Sequence, residues 1–465
     1  MECDVLVIGS GPGGYRAAVL AALRGRKTLI VEKAAWGGCC LNRGCVPKKD
    51  WYHSARLLAS ARHFAGRGID GNVRGDLAQA WRHQHEVVKT VRDGYQSYLK
   101  RLGVVALTGQ AAFTGPNSII LHPSETAITA SAVIIATGSR PIIPKGFPVV
   151  PGKILHSDLL FDEPIPDGRR VLIIGGGVVG IEFAYILRQF GCDVRWVTRS
   201  DPFVRTDFSS AALSQLRKGL ADAGVVPSVG GVRTLSVTPT GVRLVTEKDE
   251  VWDADWALLA TGRQAVTEGL QLETIGVQRD DHGFIVVDSE LKTHVEGVFA
   301  LGDCVAGPMT ANRALYEAGV VVDNLVTPGA RQRDLTRVPE AIYSAVELAR
   351  VGLTEEQAED QGLEPAIGFA AFETSPRALG QDEPEGYVRI IADMDSGEFL
   401  GGEVVGSEAG ELIHMLASVP RLGGLRQIAS TAYNHPSRAE EFQNAVETLA
   451  AKWRLEDHVF GGERG

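Results

Sequence analysis

Three of the chain's six cysteines, Cys39, Cys40 and Cys45, fall within seven residues. The segment reads Gly37-Gly38-Cys39-Cys40-Leu41-Asn42-Arg43-Gly44-Cys45-Val46-Pro47-Lys48-Lys49. Six cysteines in 465 residues are too few for a disulfide scaffold. A reducing cytosol would not preserve structural bridges in any case, so a pairing here is expected to be catalytic. Cys40 and Cys45 stand five apart, and a turn opening into a helix can bring such sulfurs within bridging range. Pro47 sits where a first helical turn tolerates it. A thiolate at that helix start, with Lys48 and Lys49 beside it, has its pKa lowered by the helix N-terminus and the cations. Zinc is not expected, because the pair lacks Cys-x-x-Cys spacing and no second Cys/His pair follows. The alternative is a set of buried, inert thiols.

Thiol–disulfide exchange requires one thiolate to attack and another to be protonated as it leaves, so a group titrating near neutrality is needed. A histidine meets that requirement, and His435-Pro436-Ser437-Arg438-Ala439-Glu440 offers His435 with Glu440 to orient it. Ser437-x-x-Glu440 before an apolar-periodic helix is also a capping box, and the two roles are compatible.

The elements that must position these groups are organised by an internal repeat. Residues 4–8 form an apolar run into Gly9-x-Gly11-x-x-Gly14, followed by an Ala-rich helical stretch and a strand from Thr28 to Glu32. Residues 171–174 lead into Gly175-x-Gly177-x-x-Gly180, a helical stretch to Phe190, and a strand from Asp193 to Val197. One glycine fingerprint is weak evidence, but two copies in strand–turn–helix–strand context predict a duplicated dinucleotide-binding fold. The first glycine permits the tight turn, the second admits a pyrophosphate, and the third lets helix pack on strand. Each copy is followed by an apolar strand closing in Ala-Thr-Gly, from Val133 through Thr137 to Gly138 and from Ala257 to Gly262. A further strand ends in Gly302-Asp303, a form expected where a strand end meets a ligand.

Twenty-three residues after its first glycine, the first copy carries Glu32, an acceptor for an unphosphorylated ribose such as that of FAD. The second copy carries Thr198 there, followed by Arg199 and, six residues on, Arg205. Arginines beside a ribose favour a 2′-phosphate, so this site, NAD(H)- or NADP(H)-binding, leans towards NADP(H).

The formal net charge of −10 argues against nucleic acid as a partner. No apolar run approaches the ~18 residues that would span a bilayer, and the N-terminus shows neither a basic region nor a cleavage site. A cytoplasmic enzyme is expected.

These motifs together resemble the pyridine nucleotide-disulfide oxidoreductases over essentially the full length. The resemblance rests on Gly9–Gly14, the segment 40–45, Gly175–Gly180 with Glu182, the Ala-Thr-Gly-Arg segment 260–263 with Glu268-Gly-Leu, Gly302-Asp303, and His435-Pro-Ser-x-x-Glu440, which has serine for the family's threonine. It is closest to the dihydrolipoyl dehydrogenases, through Gly11-Pro-Gly-Gly-Tyr15, Val351-Gly-Leu-Thr-Glu-Glu-Gln357 and Gly386-Tyr-Val-Arg-Ile390. Val19 stands where glutathione reductases carry an arginine for a glutathione carboxylate. Cys-Val-Pro-Lys-Lys and Arg199/Arg205, by contrast, are glutathione reductase-like. A mercuric reductase would use a C-terminal cysteine pair, which this chain lacks, and soluble transhydrogenases lack the redox pair.

The resemblance implies that Cys40 is the interchange thiol and Cys45 the thiol beside the flavin. It implies that Lys49, paired with Glu182, lies near the flavin N5 and that Asp303 holds the FAD ribityl chain. It also implies a homodimer in which His435 reaches the other subunit's site, with a lipoyl-carrying protein or a small disulfide as substrate. A redox-sensing or docking subunit is the alternative from another class. The expected architecture is α/β: an FAD-binding domain over residues 1–150, an NAD(P)-binding domain over 151–270, a central segment 271–337 completing the FAD site, and an α+β dimerisation domain over 338–465. Strands are expected near 367–373, 386–392 and 398–405, with helices near 408–418 and 438–453, and Thr354-x-x-Gln357 caps another helix.

Overall fold

The computed structural model describes residues 1–204 and 206–461; Arg205 lies outside the described residues. Two parallel sheets of similar plan form the first two-thirds of the chain. In the first, the parallel strands run in the order Val105–Thr108, Thr28–Glu32, Glu2–Ile8, Thr126–Ile135. Val298–Ala300 pairs in parallel with the end of Thr126–Ile135, while the start of that strand takes the antiparallel hairpin Gln110–Gly115/Ser118–His122. Val5, Leu6 and Val7 are wholly buried, as an uninterrupted apolar run must be in a parallel strand covered on both faces. Helix Pro12–Leu23 covers one face through Ala17, Ala18 and Ala21.

In the second sheet the order is Pro227–Val229, Asp193–Thr198, Arg170–Ile174, Trp256–Leu259, Ile154–His156, all parallel. Helix Val178–Gln189 follows the second fingerprint. The antiparallel strands Val232–Thr238, Gly241–Thr246 and Val251–Ala254 form a separate small sheet before the last turn. Directly after the two Ala-Thr-Gly turns, Ser139–Pro141 and Arg263–Ala265 pair antiparallel and stitch the two units together.

The third glycine of each fingerprint shows why the turn needs it. A Cβ on Gly14 would lie 1.9 Å from the Gly9 carbonyl oxygen, and one on Gly180 2.4 Å from that of Gly175. On Gly11, by contrast, a Cβ would meet nothing within 4 Å. Gly14→Ala is therefore expected to cost about 3 kcal/mol, seen as a lowered midpoint of thermal unfolding. Gly11→Ala is expected to leave that midpoint within about 0.5 kcal/mol of the parent, and equal midpoints for the two variants would contradict the packing.

The C-terminal unit is an antiparallel sheet ordered Glu340–Ile342, Leu348–Gly352, Phe399–Gly406, Gly386–Asp393, Pro365–Ala371. Helix Glu440–Trp453 packs on Pro365–Ala371 and Gly386–Asp393. The first two strands went unforeseen: they are three and five residues long and Glu340 and Arg350 interrupt any apolar alternation. The helix expected near 408–418 is two short ones, Ala409–Leu412 and His414–Ala417. Thr354 and Gln357 do form the reciprocal capping box, at 3.1 Å in each direction.

Ser437 does not cap. The helix begins at Glu440 with Ala439 as its N-cap, which leaves Ser437 two residues too early and its hydroxyl without a partner. Only the returning half of the box survives, with the Ser437 N–H donating to Glu440 Oε2 at 2.7 Å. Among the described residues no helix is long and apolar enough to cross a membrane.

Candidate redox site

The carboxyl ends of the first sheet's strands open onto a cavity of about 450 Å³. Its walls include Gly9, Gly11, Gly14 and Glu32, with Thr137, Gly138, Gly302 and Asp303, and with Cys40, Cys45 and Lys48. Val179 and Phe183 of helix Val178–Gln189 also line it. Three segments far apart in the chain thus share one space.

Glu32 is held before any ligand arrives. Ser10 donates to its Oε2 from the backbone N–H at 2.9 Å and from the hydroxyl at 2.7 Å, and the Ala34 N–H donates to Oε1 at 2.9 Å. Gly11 is the N-cap of helix Pro12–Leu23 and no side chain caps it. The first-turn N–H groups and the partial positive charge there are left for an anion, and the open space at Gly11 is where that anion would stand. Asp303 accepts from the Ser139 hydroxyl at 2.6 Å. The Thr137 hydroxyl donates to the Val266 carbonyl at 2.5 Å, and Thr261, at the equivalent turn of the second unit, donates to that of Ile142 at 2.7 Å.

Around the cysteines, helix Gly38–Arg43 stops at Gly44 and helix Cys45–Ser60 starts at once. A Cβ on Gly44 would press to 3.2 Å from the Cys40 Cα, so glycine lets the two cysteines approach across the break. Asn42 Nδ2 holds the loop by donating to the carbonyls of Trp36 at 3.0 Å and Gly38 at 2.8 Å. Both cysteines are thiols in this structure. The Cys40 thiol hydrogen-bonds to Cys45, and Lys48 and Lys49 add their field, so the Cys45 thiol is lowered to about 6 against the opposing effect of burial. The same hydrogen bond, with burial, raises Cys40.

Glu182, only 1% exposed, takes both lysines: Lys48 Nζ at 2.5 Å and Lys49 Nζ at 3.2 Å. Burial alone would raise its carboxyl; the lysines reverse that and hold it below the ordinary carboxylate value. Of the two, it is Lys48 that lines the cavity, whereas Lys49 lies 3.7 Å from the centroid of the Tyr343 ring. Both lysines are signalled by helical periodicity, three and four residues after Cys45. The sequence places both beside the thiolate, whereas the resemblance gives only Lys49 a role at the flavin, and it is Lys48 that lines the cavity. Nothing local in the sequence points to Tyr343.

Cys39 also lines the cavity, with its Sγ 3.8 Å from Asp158 Oδ1. Burial pushes its thiol up to about 12, so it stays protonated at neutral pH. Arg263, next after the second Ala-Thr-Gly turn, donates to Asp158 Oδ1 at 2.9 Å and to the Ser139 hydroxyl at 2.8 Å. The sequence marks this arginine within the Ala-Thr-Gly-Arg segment 260–263 but gives it no role.

His435 is elsewhere. Its Nδ1 meets Glu440 Oε1 at 2.8 Å, but the imidazole is 74% exposed and does not line the cavity. The hydrogen bond from His435, then that from the Ser437 N–H, lowers the Glu440 carboxyl. Three residues on, Arg438 is buried and donates to the Glu383 carbonyl at 3.0 Å. Glu383 in turn accepts at 3.0 Å from Arg56 of the helix that starts at Cys45.

The second fingerprint stands apart from the cavity. Gly175, Gly177 and Gly180 follow strand Arg170–Ile174, Thr198 ends the neighbouring strand, and Gly262 follows the strand on the other side. Gly177 is again an N-cap without a side-chain cap. Thr198 is 1% exposed with its hydroxyl unpartnered, and Arg199 is exposed. Val19, by contrast, is 2% exposed in the first unit's core. Among the described residues no group of three or more His, Cys, Asp or Glu is disposed to hold a metal ion.

Comparison with known proteins adds an independent line. The family model described as pyridine nucleotide-disulphide oxidoreductase matches residues 3–318, and that of its dimerisation domain matches residues 338–446. The chain is 35% identical over 457 residues to dihydrolipoyl dehydrogenase of Haloferax volcanii, covering 96% of this chain and 95% of that protein. It is 32% identical over 459 residues to dihydrolipoyl dehydrogenase of Bacillus subtilis, covering 96% of each. Among solved structures it is similar to the HOCl-induced flavoprotein disulfide reductase RclA from Escherichia coli, with a TM-score of 0.83 and 25% identity over 96% of this chain and 99% of that one.

Proposed function

The chain belongs to the pyridine nucleotide-disulphide oxidoreductase family, and we propose that it passes electrons between a dithiol/disulfide, of dihydrolipoyl type, and NAD(P) by way of Cys40, Cys45 and FAD. The observation that carries this reading is one cavity lined both by an anchored ribose acceptor, Glu32, and by the Cys40/Cys45 pair with Lys48.

The residues fit FAD. The open space at Gly11 with its uncapped helix start suits a pyrophosphate, Glu32 an adenosine ribose and Asp303 a polyol chain. When bound, FAD supplies two-electron exchange between the cysteine pair and a nicotinamide.

The chain's own residues carry the sulfur chemistry. In the reducing direction, His435 of the partner subunit takes the proton of the Cys40 thiol, and the Cys40 sulfur attacks one sulfur of the substrate disulfide, forming a mixed disulfide and expelling the other sulfur as a thiolate. His435 of the partner subunit, as imidazolium, protonates that leaving group. The Cys45 thiolate then attacks Cys40 Sγ, releasing the second substrate sulfur and closing the Cys40–Cys45 disulfide. Oxidation of a dithiol runs the same steps backwards. The exposure of His435 outside its own chain's cavity supports its service to a second subunit, in a homodimer built on the C-terminal unit. A cytoplasmic setting fits thiols that must remain reducible.

A second reading, reduction of a small disulfide such as glutathione with NADPH, is favoured by Lys48 in the cavity wall and by the likeness to RclA. Initial rates with lipoamide and with glutathione, in both directions and with each nicotinamide, decide between them. A lipoyl substrate requires lipoamide to be turned over; rates confined to glutathione would overturn that part of the reading.

The nicotinamide preference leans to NADP(H) on Arg199, with Arg205 outside the described residues. If Arg199 meets a 2′-phosphate, Arg199→Ala lowers kcat/KM for NADP(H) by about 10- to 100-fold and leaves that for NAD(H) unchanged. An equal effect on both nucleotides would remove the case.

A further inference from the structure

The group of charges around Cys45 does not balance, and the residue that holds the excess comes from the C-terminal unit. One buried carboxylate, Glu182, faces two ammonium groups, Lys48 at 2.5 Å and Lys49 at 3.2 Å. That leaves about one unit of positive charge beside the cysteine, in surroundings where water screens it little. Lys48 is 12% exposed and Lys49 32%. Two like charges sharing one counter-ion repel each other, so something must keep the second in place.

Tyr343 does so from two directions. Its backbone N–H donates to Glu182 Oε1 at 3.0 Å, and its ring lies under the Lys49 ammonium, 3.7 Å from the centroid. Between strands Glu340–Ile342 and Leu348–Gly352, it is placed by the C-terminal unit and closed in where Gly410 leaves room for its hydroxyl. We propose that Tyr343 is a positioning residue: its ring and backbone N–H hold Lys49 against Glu182, so that the second ammonium stays in place alongside Lys48 and the surplus positive charge stays beside the thiolate. This rests on the reading of Cys45 as the thiolate-bearing cysteine and assigns Tyr343 a role in how readily that thiolate forms.

The groups facing Cys45 are Cys39 and Cys40 on helix Gly38–Arg43, Lys48 and Lys49 on its own helix, Glu182 on helix Val178–Gln189, and Tyr343. Of these, the lysines favour the thiolate and Glu182 opposes it. Losing Lys49 from the site while Glu182 stays removes part of the favourable field. The Cys45 thiol must then titrate at higher pH.

The test uses the reduced holoprotein in a Cys40→Ser background, where Cys45 is the one remaining member of the pair. The rate at which a small methanethiosulfonate reagent modifies Cys45, followed by peptide mass spectrometry against pH, reports its thiolate fraction. Tyr343→Leu and Lys49→Met are each expected to raise the midpoint by about 0.5–1 pH unit; Tyr343→Phe, which keeps the ring and the N–H, is expected to leave it in place. Together these results support the proposal. A midpoint in Tyr343→Leu equal to the parent's, or an equal rise in Tyr343→Phe, overturns the role of the ring while leaving the dithiol chemistry standing. If the parent's Cys45 titrates as an ordinary thiol, the reading of Cys45 fails and the proposal fails with it. Should Tyr343→Leu not fold, Lys49→Met decides: no rise there means that Lys49 does not act on Cys45.

Discussion

Cys45→Ser is expected to abolish dithiol–disulfide turnover, by about a thousand-fold or more, in a protein that folds and retains flavin. Serine is nearly the same size as cysteine and stays at the first position of helix Cys45–Ser60, so neither the break at Gly44 nor the cavity wall moves. What disappears is the group that resolves the mixed disulfide on Cys40. A single round of attack on a substrate disulfide survives, and the first sulfur stays bound to Cys40. The check is steady-state turnover of lipoamide together with intact mass after incubation with a disulfide. Turnover within ten-fold of the parent would exclude Cys45 from the electron path. Cys39 does not rescue the variant, because its burial against Asp158 keeps it protonated.

The second large effect belongs to His435. His435→Gln removes the proton carrier for the leaving thiolate and is expected to lower kcat about 10²- to 10⁴-fold. The more informative experiment mixes two damaged chains. Co-expressed Cys45→Ser and His435→Gln chains assort into dimers, of which about half are mixed under random pairing. If His435 serves the partner subunit, each mixed dimer has one whole centre, formed by the cysteines of the His435→Gln chain and the histidine of the other. Activity then returns to about a quarter of the parent level. If His435 served its own chain, no combination would be whole and nothing would return. Recovery after purification of the mixed dimer, measured against each variant alone, separates the two arrangements.

What could be read from sequence was whatever a local spacing dictates. The glycine fingerprints, the acid at Glu32, the cysteine pair and the His435/Glu440 pair each lie within one short segment whose geometry follows from helix and turn rules. The fingerprint glycines stand at strand ends, and the duplicated fold follows from that. What escaped depends on contacts between distant segments or on details of register. Tyr343 meets Glu182 across 161 positions, and no periodicity connects them. Lys48 and Lys49 have neighbouring places on one helix, and their spacing alone does not decide which of them faces the cavity. Val19 was known only by its position on the first helix, and the sheet beneath helix Pro12–Leu23 puts it in the core. Ser437 matched a capping pattern by spacing, but the helix starts later than the pattern assumes.

The anchoring of Glu32 bears on how a dinucleotide is received. With three N–H and O–H donors already on its two oxygens, the carboxylate has lost its rotational freedom during folding, and a ribose meets a rigid mould. The loss of side-chain entropy that usually opposes association falls on the folding step instead. Occupancy should therefore persist at nucleotide concentrations where a floppy acceptor would release its guest.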